Sequence, residues 1–238
     1  MTSAPADNPN LTAALNLAAA GLPVFPAGPD KRPLLAGWQE KATTEEEQIR
    51  KWWDGYPPAL PAIVVGRAGL VVIDCDRHPG GNDSIKAFNQ LVSANGAKLA
   101  NVPMTRTARG GAHLFFRQPP GEPLGNGRGE LPDGVDVRGA GGFVIAPGAE
   151  SDGKRWQSAN GRPSLADAFK AGTIPEWHRR NEPLSSWRAS VPTRNVGVAE
   201  ALFQRAPALV RKAFTRPRVD PLPRPLGCPA SPALGLRA

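Results

Sequence analysis

The stretch Leu70-Val71-Val72-Ile73-Asp74-Cys75-Asp76 decides the reading of this 238-residue chain. A short apolar run rich in β-branched side chains packs well on a pleated sheet and predicts a buried strand over 70–74. Side chains alternate along a strand, so Asp74 and Asp76 leave one face and Cys75 the other. Two carboxylates that close repel, and unpaired they raise at least one pKa. A divalent cation relieves the repulsion, and hard oxygen ligands suit magnesium or manganese. Asp-x-Asp is also a common solvated strand end, so its meaning rests on what surrounds it.

Working outward, 62–65 is a second predicted strand, with Gly66-Arg67-Ala68-Gly69 as the turn of a hairpin joining it to 70–74. Asn82 or Asp83 caps a helix to about residue 92, with Ile85, Phe88, Leu91 and Val92 at helical spacing. Strands are predicted over 104–107, 111–117, 135–138 and 143–146, with 119–134 a long Gly- and Pro-rich surface loop. Trp156 reads as part of one more strand, 164–170 as a short helix and 173–177 as the start of another. Upstream, Asn10 or Thr12 caps a helix to about Ala20, ended by Gly21. A short strand over 22–26 and the loop Asp30-Lys31-Arg32-Pro33 follow. Thr43 or Thr44 then opens a helix through Trp53, with Glu45, Glu46 and Glu47 in its first turn. The class is α+β, a mostly antiparallel sheet with helices packed against it, over residues 11–180. From 181 to 238 Pro and Arg accumulate and periodicity fades, which predicts a largely disordered tail. Both a linker to a further domain and the altered end of a truncated reading frame fit that composition.

An apolar content of 40% with 21% charged residues fits a soluble globular protein. No apolar stretch is long enough for a bilayer, and the first ten residues lack the pattern of a signal peptide, so the expected compartment is the cytoplasm, with no membrane partner. Cys75 and Cys228 stand in unlike contexts, which argues against a disulfide, and three histidines with two cysteines give no readable zinc site. The net charge of +8 suggests a nucleic-acid partner, but after residue 180 nine basic residues face three acidic ones. The rest of the chain is nearly balanced, so that case must rest on placed residues.

Three further segments carry chemistry. In Thr105-Arg106-Thr107-Ala108-Arg109-Gly110-Gly111-Ala112-His113, glycines let backbone approach a ligand, Arg106 and Arg109 suit phosphate, and His113 enters an apolar strand. In Gly134-Val135-Asp136-Val137-Arg138, alternation puts Asp136 and Arg138 on one face, as a third carboxylate and a phosphate contact or as a simple surface pair. The loop around Lys31 is by itself an ordinary charged turn. Three carboxylates on neighbouring strands, with His and Arg groups, suit two-metal phosphoryl transfer. One ion would activate a 3′-hydroxyl and the other would stabilise the triphosphate and leaving pyrophosphate.

In this order, the apolar run ending in Asp-x-Asp, the Gly-rich turn before a strand His, and Gly134 through Pro147 resemble the bifunctional primase/polymerase (Prim-Pol) domain of the archaeo-eukaryotic primase superfamily. Residues 25–34 with Trp38, and Ile174-Pro175-Glu176-Trp177, are also similar, so the resemblance covers about 11–180. It implies an RRM-like sheet core joined to a smaller N-terminal αβ unit. It implies Asp74, Asp76 and Asp136 as catalytic residues holding Mg2+ or Mn2+, and His113 contacting the incoming nucleotide. Arg106, Arg109, Arg138 and Lys31 carry over more loosely as nucleotide contacts. The implied partners are a DNA template and primer with dNTP or NTP, in replication of a plasmid, phage or integrated element. Many members carry a helicase domain. Here no Gly-x-x-x-x-Gly-Lys-Ser/Thr loop is present, so a helicase would be supplied separately. The helical region some members use for template recognition is also missing, which puts initiation further from expectation than nucleotidyl transfer. Two other classes compete: a single-stranded nucleic-acid-binding module with an inactive or truncated site, and a manganese-dependent nucleotide-sugar glycosyltransferase, which needs neither the strand His nor the third Asp.

Overall fold

The computed structural model describes residues 8–77, 81, 83–94, 98–121, 123–127 and 131–177. The tail expected over 181–238, with its expected disorder, lies outside the described residues. In chain order the elements are α1 (Pro9–Ala19), β1 (Val24–Ala27), α2 (Trp38–Lys41), α3 (Glu46–Gly55), β2 (Leu60–Val64) and β3 (Leu70–Cys75). Then come α4 (Ser84–Ala94), β4 (Met104–Arg106), β5 (Ala112–Arg117), β6 (Val135–Arg138), β7 (Phe143–Ile145), β8 (Glu150–Ser151), β9 (Lys154–Arg155), β10 (Gln157–Ser158) and α5 (Leu165–Lys170). The class is α+β with antiparallel sheets, as expected. A five-stranded sheet runs β10-β4-β5-β3-β6, a three-stranded sheet β1-β2-β7, and β8 pairs with β9.

β3 is buried along its whole length because each face has its own cover. Val71, Ile73 and Cys75 pack with Leu114, Phe116 and the α4 residues Phe88 and Val92. Leu70 and Val72, with Phe115, join Leu17 of α1, Ile49 and Trp53 of α3, Ile63 of β2 and Leu165 of α5. A third cluster covers the other face of the three-stranded sheet, where the Phe25 ring lies 5.0 Å from Trp38 and 5.3 Å from Phe143. Each large apolar side chain buried this way contributes about 1.5–3 kcal/mol, so the sheets are held from both sides. No described helix is long and apolar enough to cross a membrane.

Several local expectations are corrected. β2 and β3 do not form a hairpin: β2 lies between β1 and β7, β3 between β5 and β6. Both edges of each strand are taken, and the 66–69 turn passes the chain from one sheet to the other. Helix α1 is capped by Asn8, whose side chain accepts from the N–H groups of Asn10 and Leu11. Asn10 instead exchanges hydrogen bonds with the backbone of Glu150. Helix α3 begins at Glu46, because Thr43 is bonded to Val24 of β1 through both backbone groups. Trp156 stands between β9 and β10 rather than on a strand, its backbone bonded to Gly148 and Ala149. The segment 173–177 is extended: Arg117 N–H donates to Pro175, and Trp177 N–H donates back to Arg117. The cap at Asp83 is present, its carboxylate accepting from Lys86 N–H at 3.1 Å. The four-residue α2 had no sequence signal strong enough to place it.

Candidate functional site

Pairing register lines up one row of polar residues across the five-stranded sheet. Ser158 stands opposite Thr105, Thr105 opposite His113, His113 opposite Asp74, and Asp74 opposite Asp136. Residues directly opposite in antiparallel strands share a face with Cβ atoms about 4.5–5.5 Å apart. One step back along the same face stand Phe115 and Val72, inside the apolar core. The face therefore changes from packed to chemical between Val72 and Asp74.

Arg138 lies opposite Val72, and its guanidinium reaches both carboxylates. Its Nε is 3.4 Å from Asp74 Oδ2 and its Nη2 is 3.2 Å from Asp136 Oδ2. The other Asp74 oxygen faces His113 Nε2 at 3.5 Å. Asp74 and His113 are buried, whereas the side chains of Asp136 and Arg138 keep 35% and 37% of their exposure, so the row opens to solvent at β6. Burial holds His113 below its ordinary pKa of 6.5 against the opposing pull of Asp74 and Asp76, and the charges of Lys31 and Arg138 add to the lowering. The contact with Asp74 taken alone would favour the imidazolium. Nδ1, however, is buried without a partner, so a proton there would be an uncompensated donor. The neutral ring fits.

Asp76 lies one residue beyond β3. Its N–H donates to Gly134 O at 2.7 Å, and its carbonyl accepts from Ser84 Oγ. Gly134 has φ +79°, and a Cβ there would meet Ser84 Cβ at 3.2 Å and Asp76 O at 3.4 Å, which explains a glycine at the entrance to β6. Cys75, on the α4 side, is pushed up to about 12 by burial and by the charges of Asp74, Asp76 and Asp83, so its thiol stays protonated and is no nucleophile.

Lys31 comes from the N-terminal part of the chain. Its loop closes through Gly28 N–H to Arg32 O at 2.7 Å and Lys31 N–H to Gly28 O at 2.8 Å. Its Nζ lies 5.5 Å from the Trp156 ring centroid, and its charge bears on His113. Arg109 is exposed in the turn before β5. Arg106 stands apart: it pairs opposite Ala112, which pairs opposite Cys75, so alternation puts it on the α4 face. Asp74, Asp76, Asp136, His113, Arg138 and Lys31 are thus brought to one region, and Arg106 is not. Thr105 beside His113 and Trp156 beside Lys31 were missed, since only the register and the return of the chain reveal them.

Among the described residues no three His, Cys, Asp or Glu side chains converge as a metal-ligand group. The donor set still suits a hard divalent ion. Two carboxylates face each other on adjacent strands, and a positive group is already drawn between them. Asp74 and Asp136 could hold such an ion, with Asp76 next along the chain.

Compared with known proteins, residues 14–177 match the family described as bifunctional DNA primase/polymerase, N-terminal. No curated protein matches the chain.

Proposed function

The chain belongs to the Prim-Pol family, and from that premise we propose that it is a template-dependent nucleotidyltransferase that extends a primer 3′-hydroxyl with release of pyrophosphate. The observation that carries this reading is the facing pair Asp74 and Asp136 with Arg138 between them, beside a neutral His113. Asp74, Asp136 and Asp76 would hold Mg2+ or Mn2+. Bound there, the metal would supply a lowered pKa for the attacking hydroxyl and charge stabilisation for the leaving pyrophosphate.

The chain's own groups do the positioning. β3, packed on both faces, and β6, packed through Val135 and Val137, hold the two carboxylates in register. Arg138 keeps them from repelling each other, and its positive charge, like that of Lys31, favours a triphosphate nearby. Neutral His113, its Nε2 3.5 Å from Asp74 Oδ1, backs that carboxylate and is the neighbour this reading gives the incoming nucleotide. Arg109, exposed in its turn, supplies a further phosphate contact. Residues 11–180 form the catalytic domain in this reading, and 181–238 a linker or tail.

A second reading, a single-strand-binding module without transfer, draws support from the lack of a converging three-ligand group among the described residues. Primer extension separates the two. With Mg2+ or Mn2+ and dNTPs, the chain should lengthen a primer on a DNA template, and Asp136→Asn should not. A chain that binds the primed template but neither lengthens the primer nor binds dNTP would favour the binding module.

A further inference from the structure

We propose that the groove between α4 and β4 is a second nucleic-acid contact, which takes the sugar–phosphate backbone of the single-stranded template. The groove has a volume of about 450 Å3 and is lined by Arg77, Lys86 and Arg106, with Asn89, Ser93 and Gly110. The proposal rests on the polymerase reading, because that reading gives a template strand a reason to lie here.

Charge is the first support. Among the described residues three cations line the groove against one acid, Asp83, and Arg77 already holds that carboxylate at 2.7 Å. Lys86 and Arg106 are exposed, and among the described residues neither has an acidic partner. Arg106 projects from the face that α4 covers, at the groove rather than at the carboxylate row, so its charge serves a different ligand from the one Arg138 and Lys31 attend.

Shape and chemistry favour a backbone over a base or a free nucleotide. Among the described residues no aromatic side chain lines the groove, so these offer bases no stacking surface. Arginine, lysine and amide groups are the usual sequence-independent contacts to phosphate and sugar. From Lys86 to Ser93 the helix rises about 10 Å, room for more than one phosphate of an extended single strand. The groove also leads toward the site. Arg77 follows Asp76 in the chain, and its Cδ lies 3.7 Å from where a Cβ on Gly110 would stand, at the turn entering β5 and His113. A strand in the groove therefore reaches the rim of the carboxylate row.

The test uses the full chain with two probes: a labelled oligo-dT strand of about 20 nucleotides across about 50–200 mM salt, and dTTP with Mn2+. The double variant K86A/R106A should bind the strand about tenfold more weakly and lower the slope of log affinity against log salt by about 1.4, two phosphates at about 0.7 each. It should bind dTTP as the wild type does and melt at the same temperature, since both side chains are exposed. Arg106→Lys should keep the slope. Unchanged strand affinity and slope in a chain that extends primers would overturn the groove and leave the polymerase reading standing. Equal losses of strand and dTTP binding would also overturn it, by making the groove a nucleotide site. A wild type that extends no primer, while the double variant loses strand binding, would support the groove as a strand contact and remove the polymerase reading beneath it.

Discussion

On one face of β3, Val71, Ile73 and Cys75 run from end to end against α4 and the flanking strands. On the other, Leu70 and Val72 are covered in the same way, but Asp74 is met by His113, Arg138 and, across the register, Asp136. Both faces come from one six-residue alternation, and a slip of one residue would exchange them. The contrast teaches how a chemical row can be held rigidly. Its carboxylates sit on strands held from behind by a continuous apolar face, and β6 is held at its outer edge by Gly127, bonded to Val137 through both backbone groups. On the proposed reading the covered face governs stability and the open end of the other face governs chemistry, and substitutions should separate the two.

The largest effect belongs to the open end. Asp74→Asn or Asp136→Asn should lower primer extension on the order of 10³-fold or more, while circular dichroism and the melting temperature stay close to wild type. Loss of fold in both variants would break the comparison, because the carboxylates would then be structural. On the covered face, Ile73→Ala should remove about 2–5 kcal/mol of stability in urea unfolding, with extension per folded molecule little altered. A drop in extension without loss of stability would show that the faces are not independent.

Arg138→Ala should fall between these, lowering extension about 10–100-fold, the usual range for a group that orients metal ligands, the role proposed for Asp74 and Asp136. Because Arg138 works through the carboxylates, the loss should shrink at raised Mn2+ concentration, which a merely structural role would not show. His113 gives the smallest effect. Its folded-state pKa lies below its ordinary value of 6.5, so near and below that value the unfolded chain binds more protons than the folded one. Its contribution to stability is therefore present above about pH 6.5 and is lost as the pH falls toward the folded pKa. Denaturation at pH 7 and pH 5.5 should show this decline, and His113→Gln should flatten that part of it. An identical decline in the variant would assign the proton uptake elsewhere.

Much of the row was legible in the chain. Alternation alone put Asp74 on the opposite face from Cys75, and Asp136 with Arg138, because a period of two is a property of any strand. Alternation within a strand does not fix the phase between strands. Arg106 was grouped with His113 because the two are close in sequence. The turn of 107–111, however, sets Thr105 rather than Arg106 opposite His113, and so sends Arg106 to the α4 side. The same limit explains the hairpin expected at 66–69. Two apolar runs joined by a short Gly turn look like partners, yet each was already flanked on both edges by strands distant in sequence. Arg138 was read as either a phosphate ligand or an ion-pair partner, and its two contacts with Asp74 and Asp136 place it first as the latter. Lys31 had no local signal beyond a charged turn. Its nearness to His113 and Trp156 comes from long-range packing, which no local pattern encodes.

The most direct test of transfer at this row is single-nucleotide addition by the full chain on a primed DNA template with Mn2+, reading primer length and released pyrophosphate together. Nucleotidyl transfer by Asp74 and Asp136 predicts one pyrophosphate for each added nucleotide in the wild type, and neither product from a folded Asp136→Asn. Equal primer lengthening by wild type and Asp136→Asn would contradict it.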